Sequence, residues 1–379
     1  MKYTRFKGED ISRLGFGLMR LPVIDDDQSK VDRKKVEEMV LYAYEHGINY
    51  FDTAFPYHNG FSEKTFGQIL TDNGLHGKVN VATKLFTLGI DAPDFSPQAM
   101  FDEQLNRLQT DCIEFYLMHG LHGSQWKTLC EKHDIKNWIA GLKAQGKIKH
   151  VGFSFHDDYD KFVEIIDDFD WDFAQIQYNY LDNELQAGDK GVAYANGKGI
   201  PLNVMEPLKG GSIIFPDYPE VDAIKEKYGI GNISNAELGI SYVMNNPAFM
   251  VVLSGMSNME QVEDNVRTFS TDKPGLTEVD KLLLGKACEM FREYIHIPCT
   301  ACRYCTADCP QQINIPEFIS VYNKFKVNGT WGIKSDLASI TTEGKPADCI
   351  QCGACMGHCP QSIQIPDIMG KIVEMEQSL

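Results

Sequence analysis

The sequence predicts an α/β protein: a (β/α)8 TIM barrel followed by a smaller, mainly helical C-terminal domain. Three observations predict it. Eight short apolar runs alternate with stretches of helical spacing as far as about residue 268, and such alternation implies a parallel sheet covered on both faces. Polar residues recur where those runs end, which is where a barrel of this kind gathers its chemistry. The alternation then stops near residue 276, and cysteines follow at a repeated spacing. The 379 residues exceed one typical domain and suit a barrel of about 250 residues with a partner. The expected division is residues 1–275 and 276–379.

In chain order, a hairpin is expected over residues 3–13. The eight runs are Leu14–Leu18, Ile48–Phe51, Val79–Ala82, Ile113–Met118, His150–Phe153, Phe173–Ile176, Ile200–Met205 and Met250–Leu253. Helical spacing appears between them at Arg33–His46, Glu63–Leu70, Pro97–Leu108, Ile135–Gln145 and Ala236–Met244. A doubly wound sheet is the alternative, but no Gly-rich G-x-G-x-x-G turn follows the first run. At the run ends stand Asp52, Lys84, His119, Ser154 and Glu206. Beyond the barrel, Leu276–Tyr294 has helical spacing and Pro298 follows it.

Composition narrows the function classes. A net charge of −17 argues against a nucleic-acid partner. No run approaches the roughly 18 apolar residues of a membrane span. The N-terminus, Met1-Lys2-Tyr3-Thr4-Arg5, does not lead into an apolar signal core. A cytoplasmic protein is expected.

Of eleven cysteines, Cys112, Cys130 and Cys288 are scattered and the other eight follow residue 298. Cys299, Cys302, Cys305 and Cys309 precede Pro310; Cys349, Cys352, Cys355 and Cys359 precede Pro360. Both segments read C-x2-C-x2-C-x3-C-P, the spacing of bacterial-type cluster ferredoxins. Three thiolates on a turning loop reach three irons of one 4Fe–4S cubane, and the fourth points to the other cluster. One cluster is therefore assigned to Cys299, Cys302, Cys305 and Cys359, the other to Cys349, Cys352, Cys355 and Cys309. Zinc has no use for this triple-plus-one spacing, and disulfides conflict with the compartment. The second domain resembles the helical ferredoxin modules attached to many redox enzymes.

The segment Asp52-Thr53-Ala54-Phe55-Pro56-Tyr57, with Ser62-Glu63 after it, resembles the signature of the aldo-keto reductases. Ala82-Thr83-Lys84 and Tyr116-Leu117-Met118-His119 match that family's next two motifs in order and spacing. The resemblance covers residues 1–268 and implies four catalytic roles. Tyr57 matches the proton donor and Lys84 the neighbouring ammonium that makes the phenol more acidic. Asp52 matches the carboxylate that orients the lysine, and His119 the imidazole that positions the carbonyl oxygen. The chemistry calls for these types: hydride added to a carbonyl carbon leaves an oxyanion, and a phenol with a pKa near 10 has to release its proton near neutrality.

The same resemblance implies an NAD(H) or NADP(H) site. Ser154 and Gln175 match positions that bind the nicotinamide carboxamide, although Phe155 stands where the family usually has Asn. Met205 falls where an aromatic often stacks on the ring. Asn265 matches an adenine contact. Gly255, Met256 and Gln261 occupy positions that often hold Lys, Ser and Arg around a 2′-phosphate, so NADPH loses its usual cationic partners. Flavin is the alternative cofactor, since loops after barrel strands seven and eight commonly bind phosphate. Phe55, His58, Phe86, His122 and Phe155 are expected at the mouth of the pocket. The resulting expectation is an oxidoreductase for a small carbonyl or alcohol substrate, coupled to two 4Fe–4S clusters and a redox protein partner. The alternatives are an electron-transfer or docking module with an ancillary barrel, and purely structural clusters.

Overall fold

Strands β1 (Tyr3–Phe6) and β2 (Glu9–Ser12) form the expected antiparallel hairpin. A computed structural model describes residues 1–214, 219–231, 233–271, 275–294, 297–328, 330 and 332–379. Among these, eight parallel strands close a barrel: β3 (Leu14–Gly17), β4 (Tyr50–Asp52), β5 (Asn80–Leu85), β6 (Ile113–Leu121), β7 (Ile148–Phe155), β8 (Phe173–Gln177), β9 (Leu202–Met205) and β10 (Phe249–Gly255). Neighbours follow chain order, and β10 closes on β3. The expected helices lie between them, at Arg33–Glu45, Phe61–Asp72, Pro97–Leu108, Ile135–Ala144 and Asn235–Met244. No helix among the described residues is long and apolar enough to cross a membrane.

Two apolar layers follow from the strand period of two. Phe6, Ile11, Tyr50, Ala82, Phe115, Leu117, Phe173, Val251 and Leu253 pack together without any helix residue. They fill the barrel, with the hairpin contributing Phe6 and Ile11. The alternate strand residues face outward and pack on the helices, as Phe51 does on Phe66 at 5.2 Å between ring centroids. Asn203 Nδ2 donates to Tyr50 Oη across the interior at 2.9 Å.

The run ends differ from the sequence expectation in detail. β6 continues past Met118 to Leu121, with its register broken between those residues. Gly120, at φ 60°, lies in that break. His119 therefore belongs to the strand rather than to the loop beyond it. Ser154 likewise lies inside β7 and Lys84 inside β5.

One close approach holds the helix that follows the candidate site. A Cβ on Gly67 would stand 2.2 Å from Arg107 O and 2.6 Å from Leu108 Cα. Both are backbone atoms of the helix Pro97–Leu108, so neither can swing aside. Gly67→Ala is expected to destabilise the protein by about 2 kcal/mol or more, as overpacking does. A thermal melt within a degree of the wild type would show that the helices part freely.

The chain divides into two units: Met1–Leu208 with Lys225–Glu278, and Lys209–Ile224 with Val279–Leu379. The sequence expectation divides the chain linearly at 275/276, whereas Lys209–Ile224 groups with the C-terminal unit. That unit is mainly helical, with helices at Glu278–Tyr294, Ile315–Asn328, Ile333–Ser339 and Ile365–Ser378. Its core includes Ile313, Phe318, Ile319, Ile363, Ile368, Met369 and Ile372. The cysteine repeat is also a backbone repeat at an offset of fifty. Left-handed residues occur at Ala301 and Gln351, at Arg303 and Gly353, and at Gln312 and Ser362. Short helices start at Tyr304 and Ala354.

Candidate active site and cluster sites

The barrel's period of two decides which side chains reach the site. Asp52, Lys84 and His119 each lie two residues beyond an interior residue: Tyr50, Ala82 and Leu117. Ser154, Gln175, Met205 and Gly255 stand in the same phase in β7, β8, β9 and β10, Met205 and Gly255 as the last residues of their strands. Phe155 is one residue out of phase. It is fully buried on the outside of the barrel, its ring 5.1 Å from that of Phe162 on the helix Tyr159–Asp168. The expectation that Phe155 lines the mouth is corrected accordingly. His58 is also turned away from that role. It is buried, and its Nε2 accepts the Leu21 N–H at 3.1 Å. Burial lowers its pKa to about 4. Phe86 does lie near the site, 5.8 Å from His119 between ring centroids, whereas Phe55 stacks with Arg107 at 4.0 Å.

Four of the sequence-identified residues come together. Lys84 is fully buried, and its Nζ donates to Asp52 Oδ1 and to Thr53 O, both at 2.7 Å. Burial pushes the Asp52 carboxyl up and the Lys84 ammonium down, and each opposes the shift of the other. Asp52 Oδ2 is buried with no hydrogen-bond partner among the described residues. The ammonium lies 5.0 Å from the centroid of the Tyr57 ring. Tyr57 opens a tight turn, Tyr57–Gly60, made possible by left-handed His58, Asn59 and Gly60. Its ring meets His119 edge-on at 5.9 Å and 79°. Burial holds the His119 pKa well below its ordinary value, and Lys84 and then His156 push the same way. An imidazole, a phenol and an amine thus lie side by side.

The nicotinamide positions fit a carboxamide. Gln175 Oε1 is buried and has no hydrogen-bond partner among the described residues, while its Nε2 lies 3.6 Å from Met205 Sδ. Ser154 Oγ accepts the Gly120 N–H at 2.7 Å, which leaves its own O–H to donate. Ser154 and Gln175 are register partners. The adenosine positions differ from the expectation. Met256 is fully buried and cannot meet a phosphate. Asn265 Nδ2 donates to Ser254 Oγ at 2.9 Å, which uses one of its two amide hydrogens. Gln261 Oε1 accepts the Ser257 N–H at 2.7 Å.

Two features were missed in the sequence. Glu63 is fully buried and accepts from Thr83 at 2.6 Å, Gln104 at 2.8 Å and Arg107 at 3.1 Å. Burial raises its pKa, and these partners oppose that rise. It adds negative charge that favours the Lys84 ammonium. Its place in the Ser62-Glu63 pair was the available signal. Arg20 lies against Gly255. It sits just past the first apolar run, where the same run-end reasoning could have found it.

In the second unit, Cys309 lines one cavity with Cys349, Cys352 and Cys355. Burial pushes the Cys355 thiol up to about 11, and Cys349, Cys309 and Cys352 add to the rise. Around Cys305, burial acts first and then Cys302, Cys299, Cys359 and Cys355. The last cysteine of the first motif thus lines a cavity with the first three of the second. A cubane spreads its thiolates over four irons, so the cysteine sets suit a cluster better than zinc. Cys305 and Cys355 are buried, whereas Cys352 is exposed.

Comparison with known proteins agrees with both halves. Residues 13–283 match a family model described as the aldo/keto reductase family, and residues 298–364 match one described as a 4Fe-4S dicluster domain. L-galactose dehydrogenase of Arabidopsis thaliana is 27% identical over 307 residues, which is 73% of this chain and 92% of that protein. The NADH-specific methylglyoxal reductase of Escherichia coli is 25% identical over 320 residues, 74% of this chain and 95% of that protein. Among solved structures, an aldo-keto reductase from Bacillus halodurans in its holo form superposes with a TM-score of 0.60 at 23% identity, covering 76% of this chain and 96% of that one.

Proposed function

This chain belongs to the aldo/keto reductase family and is an oxidoreductase with a 4Fe-4S dicluster domain, and from that premise we propose that it interconverts a small carbonyl compound and its alcohol with a nicotinamide nucleotide. The observation that carries the reading is the buried cluster of four: Lys84 Nζ held by Asp52 at 2.7 Å, with Tyr57 over it and His119 edge-on to Tyr57. A bound nicotinamide would supply or take up the hydride. Ser154 and Gln175 would hold its carboxamide, and Met205 would cover its ring. His119, neutral in its buried place, orients the substrate oxygen. Tyr57 gives that oxygen a proton, and the Lys84 charge lowers the cost of leaving a phenolate behind. Asp52 keeps the ammonium aimed and charged.

The two crossed cysteine sets would hold two 4Fe–4S clusters, which supply one-electron steps when bound. Cys352, exposed, marks the edge where a redox protein partner would meet them. We place the protein in the cytoplasm, where thiols at cluster spacing stay reduced.

The test is nucleotide oxidation by anaerobic holoprotein against a panel of small aldehydes and ketones, with the alcohol quantified. Turnover of no member, in either direction, overturns the reading. Extraction with flavin analysis tests the alternative cofactor. We further expect NADH to bind at least as well as NADPH. Glu260, Glu263 and Asp264 lie on the helix Met259–Ser270 that follows β10, and a net negative charge there disfavours a dianionic 2′-phosphate. The curated relative named for NADH specificity points the same way. Titration of both nucleotides at matched salt decides it; a clear preference for NADPH contradicts the expectation.

A further inference from the structure

The candidate active site is gripped from behind by one helix. On Pro97–Leu108, Gln104 and Arg107 stand three residues apart and so project from one face. Each reaches backbone next to a reacting group. Gln104 Nε2 donates to Lys84 O at 3.0 Å. Arg107 Nη1 donates to Phe55 O at 3.1 Å, two residues before Tyr57, and the guanidinium stacks on the Phe55 ring at 4.0 Å. The same nitrogen lies against the far end of the turn, since a Cβ on Gly60 would stand 3.0 Å from it. Arg107 therefore brackets the turn Tyr57–Gly60 at both ends. Glu63 joins the two side chains. Its Oε1 accepts from Thr83 Oγ1 at 2.6 Å and from Gln104 Nε2 at 2.8 Å, and its Oε2 accepts from Arg107 Nη1 at 3.1 Å. Glu63 and Gln104 are fully buried. Gln104 Oε1 also accepts from Tyr116 Oη at 2.8 Å, and Arg107 Nε donates to Glu103 Oε1 at 2.9 Å, so neither side chain can swing away without breaking a further bond.

Replacing a buried ion pair by apolar residues is often neutral or stabilising, so packing alone does not call for one here. What the pair does is tie the backbone of Lys84 to the turn that carries Tyr57. We propose that Glu63 is a positioning residue for carbonyl reduction: through Gln104 and Arg107 it locks the Lys84 strand to the Tyr57 turn and so fixes the ammonium against the phenol. The proposal rests on the carbonyl–alcohol reading above. The carboxylate also acts through its charge. Lys84 is acted on by Asp52 from β4 and Glu63 from the helix Phe61–Asp72, with Tyr57 on its turn and His119 on β6 beside it. Burial disfavours the Lys84 ammonium, and Asp52 and then Glu63 oppose that. With a neutral residue in place of Glu63, the ammonium loses its proton at lower pH, and its support of the phenol ends sooner.

The test is the pH profile of kcat for carbonyl reduction by anaerobic holoprotein, with iron content and melting temperature as folding controls. Glu63→Gln should lower kcat by about 10- to 100-fold, the scale of a misplaced catalytic group. Nucleotide affinity should stay as in the wild type, and the upper limb of the profile should move to lower pH. Arg107→Lys keeps a cation beside Glu63 but loses the planar fork, so kcat should fall while the upper limb stays in place. In a Tyr57→Phe background Glu63→Gln should cost much less than in the wild type, because its effect passes through the phenol. Losses that simply multiply in the double variant overturn the proposal, since Glu63 would then serve the fold alone. Folded Glu63→Gln with wild-type kcat and an unmoved limb also overturns it, while leaving the carbonyl–alcohol reading intact. A wild type that turns over no carbonyl compound removes that reading, and the proposal falls with it.

Discussion

Tyr57→Phe is expected to lower the kcat of carbonyl reduction by at least about 100-fold, the scale of a lost general acid, while nucleotide affinity changes little. The substitution removes one hydroxyl and keeps the ring. The contacts that place that ring, 5.0 Å from Lys84 Nζ and 5.9 Å from His119, are made by the ring itself. Packing around the buried side chain should therefore survive, and a loss of rate reports chemistry rather than unfolding. The phenol acts on the substrate oxygen, so the effect belongs in kcat more than in binding. Residual activity is expected, because His119 and the hydride geometry remain. Single-turnover measurements with a true substrate give the number. Wild-type turnover in Tyr57→Phe would remove the proton-donor role and favour a docking module with an ancillary barrel.

Substitution of the cluster cysteines should sort by set rather than by motif. Anaerobic wild-type protein should hold about eight irons and eight sulfides. Cys309→Ala should fall toward about four of each, with the same spectral loss as Cys349→Ala. Cys359→Ala should behave like Cys299→Ala instead. The reason is geometric. Cys309 lines the cavity of Cys349, Cys352 and Cys355, and the crossed spacing then leaves Cys359 to Cys299, Cys302 and Cys305. Metal analysis and electron paramagnetic resonance of the reduced protein read the outcome directly. Grouping by motif would refute the crossed assignment, and a well-occupied zinc-only protein would refute the clusters altogether. Loss of either cluster with carbonyl reduction unchanged would show that the barrel site works without the clusters.

What could be read from the amino-acid sequence was whatever local spacing encodes. Alternation of apolar runs with helical stretches determined the barrel, since a strand buried on both faces and an amphipathic helix each carry their own period. The cysteine spacing determined the cluster domain, because three thiolates of C-x2-C-x2-C-x3-C-P sit on one short loop and the fourth serves the other cluster. Asp52, Lys84 and His119 could be found as polar residues interrupting apolar runs. Which face each residue takes depends on strand phase around a closed barrel, and there the tertiary structure decided. It turned Phe155 outward while its neighbour Ser154 faces the site, and it engaged His58 with Leu21. Met256, named at a phosphate position, became core. Contacts between distant segments were equally beyond local pattern: Arg20 lies over Gly255, more than two hundred residues away in sequence, and Glu63 meets Gln104 and Arg107. Periodicity limits which side of an element is buried, but the partner brought against that side is chosen only when the strands close and their ends converge.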